Sequence, residues 1–389
     1  MRVWKNSIRC FLFSQKSGTI AFMKTKLIKP SEKAIDLASE LLKNGEVVGV
    51  PTETVYGLAG DSSNPSAIKK IFEAKGRPMD NPLICHISNF DMLEKVSKDL
   101  SNDAIKLAHT FWPGPLTIVV KRGDGVCLES TAGLDSVGIR MPSNEIARKI
   151  IERAGSPFSA PSANISGKPS PTNAQDVFVD MQGKIPLIID GGECDAGVES
   201  TVVSMLGETP VLLRPGVVTK EQIENVLNKK IDVARGVLEQ VSKEEKVLSP
   251  GMKYRHYAPN AKVIIIKSSF EKFKEYVEKN KADGVWALLF DGEKVDVPCL
   301  YYGNMEDDKA QAHNLFTKLR EFDKLNAKTV YARCPKQTGV GLAVYNRLVR
   351  SAGFCVVELW VLLNFANILL ILRVFCLFEI WKIEKRDNA

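Results

Sequence analysis

The sequence has few of the residues from which metal centres and disulfide frameworks are built. Its 389 residues include four histidines and eight cysteines, and no two of those cysteines form a C-x-x-C pair. This spacing argues against structural zinc and indicates reduced thiols. The chain also lacks the G-x-S-x-G and H-E-x-x-H motifs, which argues against the serine hydrolases and metalloproteases that carry them.

The sequence also has no formal net charge beyond its first 31 residues. The formal net charge is +7, but seven basic residues precede the first acidic residue, Glu32. The rest of the chain has 46 basic and 46 acidic residues. Such a balanced body argues against a strongly basic nucleic-acid-binding surface.

The two ends of the sequence differ from the rest. Residues 1–23 are basic and free of acids, which fits a mitochondrial targeting segment or an extension ahead of Met23. Residues 359–372 are 14 uncharged residues, short of the roughly 18 to 20 that a membrane span needs. We therefore expect no membrane span, and a docked helix or a misassembled gene model in the atypical apolar tail, 359–389. The expected location is cytoplasmic, with mitochondrial as the alternative through the leader.

Between the ends, apolar runs of strand length alternate with helical spacing, which predicts an α/β fold. The predicted strands are 47–50, 83–87, 116–120, 137–140, 187–189, 201–204, 211–213, 262–266, 285–289 and 330–332. The predicted helices are 66–75, 103–109, 144–154, 310–322 and 342–351. After Pro215 the pattern is polar and irregular through Lys253, so two units are predicted on either side of this stretch.

The segment APSANISGKPS, residues 160–170, has the small polar donors of a phosphate-binding loop. It departs from a nucleotide P-loop because Ser162 replaces the first glycine and Pro169 replaces the magnesium-binding Ser/Thr. The alternative is an ordinary surface turn. A second polar cluster, PTETVYGL from Pro51, follows a buried-strand pattern, and ligands favour such strand ends.

These segments, with KGRPMDNPL from Lys75, WPGPLT from Trp112, SVGIRMP from Ser136, GVEST from Gly197 and LLRPG from Leu212, resemble the threonylcarbamoyl-AMP synthase family. Residues 249–259, SPGMKYRHYAP, resemble the linker of its long form. The resemblance covers residues 24–358. It implies a twisted open mixed sheet in a YrdC-like catalytic domain (24–215), a linker (216–259) and a smaller Rossmann-like α/β domain (260–358).

The resemblance implies a nucleotidyltransferase that joins L-threonine, bicarbonate and ATP into threonylcarbamoyl-AMP and releases pyrophosphate. The product serves the threonylcarbamoyladenosine modification of tRNA, so tRNA or a downstream threonylcarbamoyl transferase is a possible partner. Mg²⁺ would accompany ATP, but no carboxylate cluster in the sequence names its ligands. Catalysis would depend on positioning and charge, since no protein nucleophile is required.

Residue roles follow from the motif matches. Lys75 and Arg77 are expected to be catalytic, and a planar guanidinium suits bidentate phosphate contact; surface charges at a helix end are the alternative. ATP is expected to contact Arg77, Asn81, Ser136, Ser162, Ser170, Arg214 and Tyr254, with Tyr254 closing as a lid from the linker.

L-Threonine is expected to contact Thr54, His86, Arg140, Ala160 and Ser200. Arg140 is an independent signal because an arginine inside an apolar strand needs an anionic partner, for which we predict the threonine carboxylate. The expected threonine contact of His86 depends mainly on the family match, since a lone histidine in a strand more often has a structural role. Turn formation is the alternative for Ser162 and Asn164.

Two other functions compete with the synthase. A YrdC-type module that binds double-stranded RNA or tRNA without catalysis is the first, and the balanced charge argues against it. A carbamoyltransferase of the hydrogenase-maturation kind is the second, and the missing cysteine pairs argue against that.

Overall fold

A computed structural model describes residues 23–239, 256–359 and 373–374. The leader through residue 22, the lid candidate Tyr254 and nearly all of the apolar tail lie outside the described residues. No helix in the described ranges combines the length and apolarity needed to cross a bilayer.

The first sheet has twelve strands among the described residues. They are β1 (Lys26–Ile28), β2 (Val48–Val50), β3 (Gly57–Asp61), β4 (Ile84–His86), β5 (Ser97–Lys98), β6 (Leu116–Arg122), β7 (Ser136–Arg140), β8 (Phe158–Ser159), β9 (Leu187–Ile189), β10 (Thr201–Ser204), β11 (Val211–Arg214) and β12 (Asp232–Val233). Their order is β1-β9-β2-β3-β8-β4-β7-β6-β10-β11-β12, and β5 pairs with β6. Because β4 and β7 are parallel whereas β6 and β7 are antiparallel, the predicted mixed sheet is confirmed.

The helices around this sheet begin and end at recognisable capping residues. They are α1 (Glu32–Lys43), α2 (Pro65–Lys75), α3 (Leu93–Val96), α4 (Asn102–Phe111), α5 (Glu145–Ala154), α6 (Ala174–Met181) and α7 (Lys220–Leu227). In α2, the Asn64 side chain accepts hydrogen bonds from the first-turn amides, and Gly76 ends the helix with φ 62°. Glycine adopts that left-handed conformation without strain, so the chain turns sharply before Arg77.

The second sheet has six strands in the described part of the chain. They are β13 (Lys262–Lys267), β14 (Val285–Leu289), β15 (Cys299–Tyr301), β16 (Thr329–Arg333), β17 (Val356–Glu358) and β18 (Arg373–Val374), in the order β15-β14-β16-β13-β17-β18. All neighbours are parallel except β17 and β18. Helices α8 (Phe270–Lys279), α9 (Asp308–Lys324) and α10 (Gly341–Ser351) connect strands, which confirms the smaller Rossmann-like domain.

The irregular structure predicted after Pro215 is wrong for residues 216–239. Helix α7 begins with a capping box, in which Thr219 and Gln222 satisfy each other's backbone amides. Strand β12 then pairs with β11 and extends the first sheet. A short 3₁₀ helix, Arg235–Val237, follows.

The two domains share a polar interface made by α9 and α10. Arg320 of α9 is buried and donates to the Asp180 carboxylate at 2.7 Å and to the Pro169 carbonyl at 2.6 Å. A Cβ atom at Gly197 would lie 2.3 Å from the Cα atom of His313. The loop before β10 and helix α9 are therefore in direct backbone contact, which only glycine permits at this position.

Candidate active site

A pocket of about 720 Å³ opens where the ends of several strands meet the loop at residues 160–168. His86 and Arg140 stand side by side at the ends of the parallel strands β4 and β7. Lys75 and Arg77 come from the end of α2. The described residues that line the pocket are Thr52, Thr54, Val55, Tyr56, Gly57, Lys75, Arg77, Ile84, His86, Arg140, Ala160, Pro161, Ser162, Asn164, Ser166, Gly167, Lys168, Glu199, Ser200, Arg214, His256 and Tyr257.

The loop at residues 160–168 is held against the start of β3. The Ala163 amide donates to the Tyr56 carbonyl at 2.8 Å, and Gly57 and Ser162 form an antiparallel bridge. A Cβ atom at Gly57 would lie only 3.1 Å from the Cβ atom of Ala160. This close approach fixes the loop along one wall of the pocket.

Lys75 ties the same loop to helix α2. Its buried ammonium donates to the backbone carbonyls of Ser162 and of Asn164, the latter at 2.8 Å, while its own carbonyl accepts from Ser166 at 2.9 Å. Burial lowers the pKa of Lys75 well below its usual value, and the nearby Arg77 lowers it further. Lys75 thus shapes the pocket wall, and its catalytic role stays a prediction.

The Asn164 side chain shapes its own turn, as the alternative interpretation of this loop predicts. Its amide nitrogen donates to the carbonyl of Ile165 at 2.8 Å and to that of Lys168 at 2.9 Å. These two bonds hold the polar stretch in a compact turn beside the pocket.

Arg77 is half-buried at the pocket, and its guanidinium lies over the Phe72 ring at 5.8 Å. It also donates to the Asn81 carbonyl at 3.3 Å. Asn81 is fully buried, and its side-chain amide finds no hydrogen-bond partner within the described ranges. A buried amide without hydrogen-bond partners is costly in isolation, but Asn81 does not line the pocket, so its contact with ATP stays a prediction.

Arg140 has an anionic partner within the chain. It is 3% exposed, pairs with the Glu53 carboxylate at 2.7 Å and donates to the Thr54 hydroxyl at 2.8 Å. Burial raises the pKa of Glu53, but Arg140 outweighs it and holds that pKa below its usual value. Glu53 thus supplies the anionic partner that we expected the threonine carboxylate to supply, and the contact of Arg140 with L-threonine stays a prediction.

His86 is buried in its neutral form beside this ion pair. Its Nδ1 atom lies 3.0 Å from the Ile84 carbonyl, and its ring lies 5.2 Å from that of Phe158. Burial, reinforced by the Arg140 charge, lowers the pKa of His86 from 6.5 to about 3. Near neutral pH the ring therefore offers a neutral hydrogen-bonding group to the pocket.

His86 should make folding stability depend on pH between 6.5 and 3. The unfolded chain takes up a proton at its ordinary value of 6.5, whereas the folded chain does so only at about 3. Stability contributed by the neutral ring is thus present above pH 6.5 and falls by about 1.4 kcal/mol per pH unit below it. We expect His86→Asn to flatten this slope in urea unfolding curves, and equal slopes for both proteins would contradict it.

Arg214 and Ser200 meet at the opposite side of the pocket. The Arg214 guanidinium donates to the Ser200 carbonyl at 3.0 Å and to its hydroxyl at 3.1 Å, and that hydroxyl also contacts Thr117 at 2.8 Å. Burial lowers the pKa of Arg214 to about 10, so it remains a cation at neutral pH. A buried arginine beside an open pocket is a strong point of attraction for an anion.

Glu199 is a pocket residue that sequence reasoning missed, although it lies in the quoted segment GVEST. Its carboxylate accepts from the Ser170 hydroxyl at 2.6 Å and pairs with Arg347 of α10 at 2.8 Å. Ser170 itself is buried, and its hydrogen bond to this carboxylate links it to the pocket. An acid buried between such partners is held in one orientation.

His256 and Tyr257 were also missed, although the linker motif contains them. Both line the pocket, and the Tyr257 ring packs against Phe316 of α9 at 5.0 Å. Tyr257 has φ 63°, which bulky residues seldom adopt. The backbone at Tyr257 is thus bent so that the His256 and Tyr257 rings cover the pocket from the side of the second domain.

Thirteen site residues were predicted, and the structure collects nine of them in this pocket. They are Thr54, Lys75, Arg77, His86, Arg140, Ala160, Ser162, Ser200 and Arg214. Asn81, Ser136 and Ser170 are buried but do not line it. Tyr254 lies outside the described residues.

The lining is strongly biased toward positive charge. Lys75, Arg77, Arg140, Lys168 and Arg214 face one acid, Glu199, among the described lining residues. Over the described ranges, no group of three His, Cys, Asp or Glu residues is placed to hold a metal ion. Because Glu199 is already paired, the pocket suits an anionic ligand rather than a protein-held cation.

Comparison with known proteins gives matches over both domains. A family model described as telomere recombination matches residues 40–216, and one described as threonylcarbamoyl-AMP synthase, C-terminal domain, matches residues 218–353. The threonylcarbamoyl-AMP synthase of Bacillus subtilis is 44% identical, covering 85% of this chain and 96% of the relative. That of Schizosaccharomyces pombe is 36% identical, covering 84% and 90%.

A solved structure is similar over nearly the same length. The crystal structure of Pyrococcus abyssi Sua5 complexed with L-threonine is 42% identical and superposes with a TM-score of 0.81. The match covers 87% of this chain and 99% of that chain. The fold and the sequence therefore agree on the same relatives.

Proposed function

This chain belongs to the threonylcarbamoyl-AMP synthase family, and on that premise we propose that its pocket forms threonylcarbamoyl-AMP and pyrophosphate from L-threonine, bicarbonate and ATP. The observation that carries the proposal is the ring of cations around small polar side chains, with one paired acid among the described lining residues. Such a lining suits a triphosphate and an amino-acid carboxylate, and the reaction requires no protein nucleophile.

The reaction needs two steps at adjacent positions. The threonine amine attacks the carbon of bicarbonate, and loss of water leaves a carbamate. A carbamate oxygen then attacks the α-phosphorus of ATP, and the bond to the β-phosphate oxygen breaks as pyrophosphate leaves. Arg77 and Arg214 lie on two sides of the pocket, where they can stabilise charge on the phosphate oxygens.

L-Threonine fits the end of the pocket near Arg140. The guanidinium there already pairs with Glu53 and donates to the Thr54 hydroxyl and the Gly114 carbonyl. We infer that the amino-acid carboxylate adds to this pair, while neutral His86 and the Ser200 hydroxyl contact the rest of the molecule. The similar structure from Pyrococcus abyssi is a complex with L-threonine, which supports an L-threonine site in this fold.

Mg²⁺ enters with ATP as part of the substrate in this proposal. Glu199, the acid that lines the pocket in the described ranges, is engaged by Arg347 and Ser170. The metal is therefore held by phosphate oxygens and water, the usual coordination of Mg²⁺ with nucleotides. Delivery of the product to a tRNA-modifying transferase, and a cytoplasmic or mitochondrial location, stay predictions.

Pyrophosphate release tests the proposal directly. We expect the purified chain with ATP and Mg²⁺ to release pyrophosphate only when both L-threonine and bicarbonate are present. Mass spectrometry should then detect threonylcarbamoyl-AMP in an amount equal to the pyrophosphate. Release that needs neither co-substrate would show a different adenylate chemistry. No release by folded protein, together with salt-dependent RNA binding, would favour the RNA-binding alternative.

A further inference from the structure

Arg347 of α10 links the second domain to the pocket through the lining residue Glu199. This arginine is fully buried. It pairs with the Glu199 carboxylate at 2.8 Å, donates to the Glu199 carbonyl at 3.1 Å and donates to the Pro215 carbonyl at 2.6 Å. Glu199 precedes Ser200 and Pro215 follows Arg214, so one guanidinium holds both chain segments that carry this side of the pocket.

Glu199 stands between two arginines. Burial raises its pKa, but Arg347 and then Arg214 outweigh burial and hold the pKa of Glu199 below its usual value. The same carboxylate stabilises the charged form of Arg214. One buried negative charge is therefore shared by two buried cations, and the three groups together keep a net positive charge next to the pocket.

Loss of Arg347 would change this balance. Glu199 would remain buried without its ion-pair partner, which is strongly unfavourable. Arg214 donates to Ser200, the residue next to Glu199, and lines the same pocket, so it is a cation that the carboxylate can then approach. A pairing of Glu199 with Arg214 would neutralise the guanidinium that faces the pocket.

We propose that Arg347 is a positioning residue of the second domain: it neutralises Glu199 and so leaves Arg214 available to bind the nucleotide phosphates. This inference rests on the proposed function, since it assumes that ATP occupies the pocket. It gives the second domain a defined part in nucleotide binding.

The test measures affinity for a non-hydrolysable ATP analogue by calorimetry on the full chain. We expect Arg347→Met to raise the Kd at least about tenfold. We expect the double variant Glu199→Gln, Arg347→Met to recover most of that loss, because it removes the unpaired acid that would capture Arg214. A double variant that binds no better than Arg347→Met would overturn the proposal.

Arg320→Met is the matched control. Arg320 is likewise a buried arginine that joins the second domain to the first, but its partners Asp180 and Pro169 do not line the pocket. We expect both single variants to lower Tm and only Arg347→Met to weaken nucleotide binding. Equal Kd values for the two would show that Arg347 acts by domain docking alone, and would overturn the inference.

Two further results keep the test decisive. If Arg347→Met does not fold, Arg347→Lys replaces it, because an ammonium cannot hold Glu199 and Pro215 in the same geometry. We expect the Kd of Arg347→Lys for the ATP analogue to rise about threefold or more. An unchanged Kd would overturn the proposal. Wild-type pyrophosphate release that needs neither threonine nor bicarbonate would instead refute the proposed function, whatever the variants bind.

Discussion

Replacing Arg77 by alanine is expected to lower kcat about 10²- to 10³-fold without unfolding the protein, an effect typical of removing one donor to a developing charge. The half-buried side chain leaves the helix end at the Gly76 turn and faces the pocket. Pyrophosphate release under saturating substrates measures kcat, and far-ultraviolet circular dichroism checks the fold.

Two variants control for this result. Arg77→Lys should recover only part of the rate, because an ammonium cannot contact two phosphate oxygens in the plane of a guanidinium. Arg122→Ala removes a half-buried arginine at the end of β6, outside the pocket, and should leave kcat unchanged. Normal turnover by Arg77→Ala would refute its catalytic assignment.

Replacing Arg140 by alanine is expected to damage both activity and stability. We expect the KM for L-threonine to rise at least about 10²-fold, since a buried charged contact to the substrate is lost. The sequence alone predicts an intact fold for this variant, but the structure shows Glu53 paired with Arg140 in the interior. An unpaired buried carboxylate destabilises a protein by roughly 3 to 5 kcal/mol. Urea unfolding and initial rates at varied threonine measure the two effects.

The double variant Glu53→Gln, Arg140→Met separates these effects. It removes both charges, so most of the stability should return while the high threonine KM remains. Arg153→Ala provides a comparison at the surface, where the partners Glu32 and Asp36 are exposed; a much smaller loss of stability is expected there. A normal threonine KM in the double variant would exclude Arg140 from substrate binding.

Sequence patterns within a few residues predicted the bounds of several helices and strands well. The helix predicted at 66–75 agrees with α2 to within one residue, because its caps Asn64 and Gly76 act within one turn. Strands 187–189, 201–204 and 285–289 agree residue for residue with β9, β10 and β14. Signals of the same kind were overlooked in α7, where the Thr219 and Gln222 capping box marks a helix inside the stretch interpreted as irregular.

The partners of buried charges could not be predicted in this way. Nothing in a linear sequence indicates that Glu199 meets Arg347, which lies 148 residues further along the chain. Its position inside an apolar strand identified Arg140 as a residue needing an anion, but the choice of Glu53 depends on the turn that follows β2. The pocket could therefore be predicted as a set of residues, whereas its internal ion pairs required the structure.

The contacts between the domains have a consequence for how the chain is made. Asp180 and Glu199 leave the ribosome 140 and 148 residues before Arg320 and Arg347, the arginines that they meet in the folded protein. Until α9 and α10 are synthesised, neither carboxylate has its arginine from the second domain, and an ion without that partner is not stable in the interior. The side chains around Asp180 and Glu199 therefore reach their final arrangement only after the second domain has been translated.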